Sequence, residues 1–292
     1  MAFLTVSYIT NRSTHPLVEK QRGQYELLAE SLRAQVFTNY ELIIVDRDND
    51  LPRPELAWIG DRVRFLRPHT SPWPLGTFAP SIARNTALAA ARGDIVFGLD
   101  DCVSFDSHLL KHVVDYVARG LYLAPTYGAP GDRQSGPPHP QALCGGIVAY
   151  PRARAIELGG WEERFAACCA YEDFEFSERL GRNGVRFISD PAAHVTLHSH
   201  ISREKGGNWR CHEAIWHLLQ GQARANVPWT PEQLSCFEAR RCPLENAGHS
   251  GCPTGECKLP RPTPETLALM RDYECRNRAL FPGEANADTS PL

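Results

Sequence analysis

Short apolar runs alternate with helical patterns along the first hundred residues of the chain. The runs are rich in β-branched side chains and lack polar alternation, and they cover residues 3–8, 40–46, 63–66 and 95–99. Such runs are typical of parallel strands that are covered on both faces. Apolar positions at helical spacing predict helices over residues 18–36 and 81–92. The pattern therefore predicts an α/β fold with an open, mostly parallel sheet flanked by helices.

The second half of the chain has a less regular pattern. A stretch rich in glycine and proline predicts a long loop over residues 125–142. Strands are predicted at residues 143–150 and 185–189. Further helices are predicted at residues 151–159, 172–182 and 209–223.

Composition and charge narrow the functional classes. Of the 292 residues, 42% are hydrophobic and 22% are charged, which is typical of a soluble globular protein. The net charge of −3 gives no overall attraction to nucleic acid. No apolar run approaches the roughly 18 residues of a membrane span, and residues 1–6 lack the pattern of a signal peptide. We therefore expect a cytoplasmic protein without a transmembrane segment.

Acidic residues end two of the predicted strands. Asp46 closes the second run, and Asp100 and Asp101 follow the fourth. Because ligands of open α/β sheets bind beyond the carboxyl ends of the strands, these acids are expected to line one crevice. Carboxylates are ligands for Mg²⁺ or Mn²⁺, and such a cation neutralises charge on a departing diphosphate. The alternative is that one acid of the pair merely caps a following turn.

The chain resembles family 2 glycosyltransferases and related GT-A enzymes over roughly residues 3–210. Four pieces carry the resemblance, in the same order as in the family: residues 3–12, 40–46, 83–101, and 159–161 with 171–180. The resemblance implies a GT-A, Rossmann-like domain over residues 1–228. Its nucleotide-sugar-binding half would cover residues 1–106 and its acceptor half residues 107–228.

The resemblance also implies a donor site. Tyr8 and Asp46 would flank the nucleobase, most often uracil, and Arg84 would reach the diphosphate or ribose. Asp100 would touch the ribose or sugar, and Asp101 would coordinate the metal. The motif here is Asp-Asp-Cys rather than the commoner Asp-x-Asp, which leaves open which carboxylate binds the metal directly.

The acceptor side is implied by the later pieces of the resemblance. Asp173 matches the catalytic base, Glu172 would orient the acceptor, and Trp161 would belong to the acceptor site. An inverting transfer needs a carboxylate that takes the proton of the acceptor hydroxyl. The alternative is that Glu172, Asp173, Glu175 and Glu178 form only the exposed acidic face of a helix.

Three histidines follow the strand predicted at residues 185–189. Enzymes of the GT-A kind often supply a histidine here as a further metal ligand, and spacing leaves His198 and His200 as alternatives. Residues 198–208 resemble galactosyl- and N-acetylgalactosaminyl-transferring members. Arg203 and Lys205 would either steady the diphosphate or belong to a solvated loop.

A cysteine cluster marks an irregular C-terminal extension over residues 229–282, before a polar tail at residues 283–292 that is expected to be disordered. Its spacings are looser than those of common zinc modules, so structural Zn²⁺, reduced thiols and disulfides all stay open. The cluster consists of Cys236, Cys242, Cys252 and Cys257.

The expected function is a metal-assisted, inverting transfer of a hexose or N-acetylhexosamine from a UDP-sugar to an acceptor hydroxyl. A glycan or small-molecule acceptor is favoured over nucleic acid. One alternative is a nucleotidyltransferase, although residues 8–12 lack the glycines expected of its phosphate loop. The other is a non-catalytic nucleotide-sugar binder.

Overall fold

The computed structural model describes residues 2–10, 23–46, 53–68, 80–128, 146–167, 171–198, 216, 219 and 223–226. Its strands are β1 (Leu4–Thr10), β2 (Tyr40–Asp46), β3 (Val63–Leu66), β4 (Ile95–Leu99), β5 (Val103–Phe105), β6 (Leu121–Leu123), β7 (Thr126–Gly128), β8 (Val148–Pro151), β9 (Arg186–Ile188) and β10 (His194–Leu197). Its α-helices are α1 (Gln24–Arg33), α2 (Pro80–Ala90), α3 (Leu109–Ala118), α4 (Arg152–Glu157) and α5 (Glu172–Arg182). Short 3-10 helices cover Pro54–Arg62 and Glu163–Ala167.

A seven-stranded sheet forms the centre of the fold, in the order β3-β2-β1-β4-β8-β6-β9. Strands β1 to β4 are parallel to one another, β8 is antiparallel to both of its neighbours, and β9 is parallel to β6. The chain moves outward from β1 to β2 and β3 and then returns to place β4 on the other side of β1. This reversal is the point where open α/β sheets form a crevice at their strand ends.

Both faces of the sheet are covered, as unalternating apolar strands require. One face packs against α1 and α3 through a buried cluster that includes Val6, Leu28 and Leu110. The other face packs against α2, α4 and α5 through a second buried cluster, which includes Val45 and Leu88. The mixed, mostly parallel sheet and its flanking helices agree with the predicted Rossmann-like architecture.

A small second sheet has the order β5-β10-β7. Strand β10 is antiparallel to β5 and parallel to β7. Since β5 begins two residues after Asp101, this sheet brings the end of β10 next to the acidic pair. The contact links residues that are far apart in the sequence.

Several predicted elements are confirmed with their bounds, namely the strands at residues 40–46, 63–66 and 95–99 and the helix at residues 172–182. The predicted loop at residues 125–142 is wrong in its first part, because residues 126–128 pair with β10 as β7. The sequence pattern also missed α3 and β10. No helix within the described ranges is both long enough and apolar enough to span a bilayer.

Candidate functional site

The ends of β1, β2 and β4 bring together the acids that the sequence singled out. Thr10 lies opposite Asp46 in the β1–β2 register, while Tyr8 lies opposite Leu99 in the β1–β4 register. The hydroxyl of Thr10 donates a hydrogen bond to Oδ2 of Asp101, at 2.9 Å. Thr10 thus connects the central strand to the acidic pair that follows β4, as the strand-end argument predicts.

Asp46 is a buried carboxylate with two neighbours from outside its strand. The hydroxyl of Tyr25 donates to Oδ2 of Asp46 at 2.9 Å, and Nη2 of Arg53 lies 3.2 Å from the same oxygen. The guanidinium of Arg53 also lies over the Tyr25 ring, 4.5 Å from its centroid. Burial, together with the charge of Asp46, raises the pKa of Tyr25, so its hydroxyl stays a donor to this carboxylate.

Arg84 joins the donor side and the acceptor side of the predicted site. Its Nη2 lies 2.8 Å from Oδ1 of Asp100, and its Nη1 lies 3.2 Å from Oε1 of Glu172. The Arg84 side chain is 4% exposed, whereas that of Asp100 is 28% exposed. Burial by itself lowers the pKa of Arg84, but the attraction of Asp100, Glu172 and Asp173 outweighs it and raises the pKa. Arg84 is therefore a permanent cation between these carboxylates.

Asp173 and Glu172 form the first turn of α5. The helix starts after Tyr171, whose backbone is left-handed at φ 67°. Both carboxylates are buried, and Oδ1 of Asp173 accepts a hydrogen bond from the backbone N–H of Phe174 at 2.9 Å. These acids therefore do not form the exposed helix face that was the alternative to a catalytic role.

Trp161 lies in the core behind Arg84. Its ring stacks on Phe176, with centroids 3.9 Å apart, and its Nε1 donates to the hydroxyl of Tyr150 at 3.2 Å. The guanidinium of Arg84 lies 4.6 Å from the Trp161 ring centroid. Because the Trp161 side chain is fully buried, its expected contact with an acceptor stays a prediction.

Tyr8 is also fully buried. Its hydroxyl accepts a hydrogen bond from the backbone N–H of Cys102 at 3.2 Å, and burial is the main reason that its pKa is raised. The ring presents no exposed face here, so a contact with a nucleobase stays a prediction. The hydrogen bond between the Tyr8 hydroxyl and the Cys102 N–H stabilises the turn after Asp101, where the backbone of Cys102 is left-handed at φ 56°.

His198 lies beside the acidic pair because β10 pairs with β5. Its backbone N–H donates to the carbonyl of Cys102 at 2.9 Å, and its Nε2 lies 2.6 Å from the hydroxyl of Ser104. No group of three or more His, Cys, Asp or Glu residues suited to a metal occurs among the described residues. A Mg²⁺ site built from one or two carboxylates and substrate phosphates needs no such group. Asp101 would supply such a carboxylate, and the role of the neighbouring His198 as a metal ligand stays a prediction.

Several predictions fall outside the described residues. They concern His200 as the alternative metal ligand, the cations Arg203 and Lys205, and most of the predicted helix at residues 209–223. They also include the C-terminal extension, the tail, and the candidate zinc ligands Cys236, Cys242, Cys252 and Cys257.

Other site residues carried no signal that the sequence analysis used. Strand pairing alone would have found Thr10, since it lies level with Asp46 once β1 and β2 are aligned. Arg53, Tyr25 and Asn85 were not singled out. Asn85 clamps Trp161 from α2, because its side chain donates to the Trp161 carbonyl at 2.8 Å and accepts from the Trp161 N–H at 2.7 Å. Such contacts are set by tertiary packing.

Comparison with known families agrees with this geometry. The family model described as Glycosyl transferase family 2 matches residues 27–180, which is more than half of the chain. The chain therefore belongs to glycosyl transferase family 2. No curated protein matched it.

Proposed function

We propose that this family 2 glycosyltransferase moves a hexose or N-acetylhexosamine from a UDP-sugar to an acceptor hydroxyl, with inversion and with the help of a divalent metal. One observation carries the proposal. Asp100 and Glu172 are ion-paired to the same guanidinium of Arg84, and each precedes a second acid, Asp101 and Asp173. The acids proposed for the donor side thus lie next to those proposed for the acceptor side, which a direct transfer requires.

On the donor side, Asp46 is proposed to receive the nucleobase and Asp100 the ribose or the transferred sugar. Asp101, with His198 or His200, would hold Mn²⁺ or Mg²⁺. When bound, the cation would supply positive charge to the departing diphosphate. The hydrogen bond from Thr10 to Asp101 supports this assignment, since it holds the carboxylate at the end of β1.

On the acceptor side, Asp173 is proposed to act as the general base. It would take the proton of the acceptor hydroxyl as that oxygen forms a bond to the anomeric carbon. The bond from the anomeric carbon to the diphosphate oxygen breaks, and its electron pair leaves with the diphosphate. Attack from the face opposite the diphosphate inverts the anomeric centre. Its position at the start of α5, next to Glu172 and within reach of the charge of Arg84, supports this role.

The acceptor is proposed to be a glycan or a small molecule rather than nucleic acid. The net charge of −3 supports this choice, because a chain this close to neutrality gives no overall electrostatic attraction to a polyanion. The stretch at residues 198–208 supports a galactose-type sugar or an N-acetylhexosamine, since it resembles that of enzymes that transfer these sugars.

The test is a screen of UDP-sugars with Mn²⁺, in which hydrolysis and transfer to a panel of sugar acceptors are measured. We expect release of UDP that depends on the metal and is lost on Asp101→Asn. The matched control is Asp94→Asn, which removes an exposed acid at the opposite end of β4. Equal activity of the Asp101→Asn and Asp94→Asn proteins would rule out the metal role. UDP binding without turnover on any acceptor would favour a non-catalytic binder.

A further inference from the structure

We propose that Arg84 is a positioning residue that couples the donor carboxylate Asp100 to the acceptor carboxylate Glu172. The backbone of Gly146 packs against its guanidinium and keeps it in place. The proposal rests on the proposed function for the roles of the two carboxylates. It differs from the sequence prediction, in which Arg84 touches the donor directly. Four contacts around Arg84 carry it.

The edges of the guanidinium are occupied by carboxylates. Nη2 pairs with Asp100 at 2.8 Å and Nη1 with Glu172 at 3.2 Å, and these partners come from the end of β4 and the start of α5. Charge-assisted bonds of this kind are strong and directional. To reach a diphosphate directly, Arg84 would have to leave a carboxylate buried without its cation, which is costly.

The surroundings of the guanidinium leave it little freedom. The Trp161 ring lies 4.6 Å away, and Trp161 is itself fixed by stacking on Phe176. Gly146 packs so closely that a Cβ at this position would overlap Nη2, Cζ and Nε of Arg84. Gly146 also has φ +67°, which favours glycine. Only a glycine here leaves the guanidinium in its place.

One carboxylate oxygen of Glu172, Oε2, could accept a hydrogen bond from a ligand. Its Oε1 is bound by Arg84, whereas Oε2 is buried and has no hydrogen-bond partner among the described residues. A buried carboxylate oxygen without a donor is rare and calls for an explanation. An acceptor hydroxyl would satisfy it. The orientation of that oxygen depends on the bond from Arg84, which in turn depends on Asp100, so occupancy on one side affects the other.

The first experiment needs no substrate. The urea midpoint of unfolding is measured for Asp100→Asn, Glu172→Gln and the double variant, each with Arg84 and with Arg84→Gln. With Arg84 present, the second carboxylate lost should lower the midpoint more than the first, because it removes the remaining one of the two ion pairs that hold a buried cation. With Arg84→Gln the extra loss should vanish. Shifts that add in both backgrounds would overturn the coupling.

Gly146→Ala tests whether the close packing of Gly146 positions Arg84, without changing a charged residue. Its control is Gly120→Ala, since Gly120 has φ +71° but no heavy atom lies within 4 Å of the place that its Cβ would take. Both variants carry the same kind of backbone strain, but only the new Cβ of Gly146→Ala would overlap Arg84. A difference between the two variants therefore reports the displacement of Arg84. We expect Gly146→Ala, and not Gly120→Ala, to abolish the non-additivity between Asp100→Asn and Glu172→Gln. Identical behaviour of the two glycine variants would remove Gly146 from the proposal.

Calorimetry with UDP and MnCl₂ then tests the coupling to ligand. Glu172→Gln should weaken UDP binding by about fivefold or more when Arg84 is present, a typical size for coupling between sites, and much less with Arg84→Gln. A purely structural Arg84 would not make the effect of Glu172→Gln depend on the residue at 84. An unchanged Kd for Glu172→Gln would overturn the coupling to the donor. Absence of UDP binding to the wild type would instead count against the proposed function, while the urea cycle still decides whether Arg84 couples the carboxylates.

Discussion

Arg179 fixes α5 to the turn that follows α4, and its loss gives the clearest stability prediction. The side chain is fully buried and donates to both oxygens of Glu175, at 2.7 and 2.9 Å. It also donates to the carbonyls of Leu158 and Gly160, at 2.8 and 2.7 Å. Arg179→Met would leave a buried carboxylate without its cation and two carbonyls without this donor. Breaking a buried pair in this way costs about 3–5 kcal/mol of unfolding free energy.

In a domain of this size, that loss corresponds to a fall in Tm of about 10 °C, measured by thermal melting alongside urea unfolding. The matched control is Arg182→Met, because Arg182 pairs with Glu178 on the same helix at the same spacing but at 3.5 Å and with both side chains 36% exposed. Screened pairs of this kind contribute at most about 0.5 kcal/mol.

A second variant separates charge from hydrogen bonding. Arg179→Met with Glu175→Leu removes the stranded carboxylate and should recover part of the loss, while the Leu158 and Gly160 carbonyls still lack the donor. A cost for Arg179→Met no larger than that for Arg182→Met would refute the reasoning. So would a double variant as unstable as the single one.

Two further predictions concern acid stability and metal affinity. Burial raises the pKa of Glu162, but the charge and hydrogen bonds of Arg164 outweigh it, and the net pKa is below its ordinary value of 4.5. The ionised Glu162 therefore stabilises the fold above pH 4.5, and this stabilisation is lost as the pH falls through the lowered pKa. Glu162→Gln should then make the unfolding free energy depend less steeply on pH below 4.5, as measured by acid titrations followed by fluorescence. A profile as steep as that of the wild type would contradict this. Ser104 lies 2.6 Å from Nε2 of His198, so a metal at His198 would use Nδ1 while Nε2–H donates to Ser104. Ser104→Ala should weaken Mn²⁺ binding by about tenfold in calorimetry, and an unchanged affinity would argue against His198 as the ligand.

The sequence predicted the elements that depend on local pattern. The strands at residues 40–46 and 95–99 are unbroken apolar runs, and each is followed or closed by acids, so their bounds could be inferred, while the roles of those acids stay predictions. The helix at residues 172–182 was predicted with its bounds because its apolar positions have helical spacing. Its N-terminal acids were predicted to be functional, and the structure gives them neighbours across the site.

What the sequence did not predict depends on contacts between distant residues. Strand β10 is only four residues long and exists because it pairs with β5 and β7, so no periodicity marks it. The burial of Tyr8 and Trp161 likewise follows from packing on neighbours that only the folded chain supplies. Arg84 was singled out for a donor contact, but its bond to Glu172, 88 positions away, appears only when α2 and α5 meet.

The central claim is that Asp173 is the base of an inverting sugar transfer, and the most direct measurement compares transfer by Asp173→Asn with that by Asp94→Asn. The account predicts that Asp173→Asn lowers kcat by about 10²-fold or more, the usual contribution of a general base, with UDP–Mn²⁺ affinity unchanged. Asp94→Asn should match the wild type. Retention of wild-type kcat by Asp173→Asn, with product of inverted configuration, would contradict the claim.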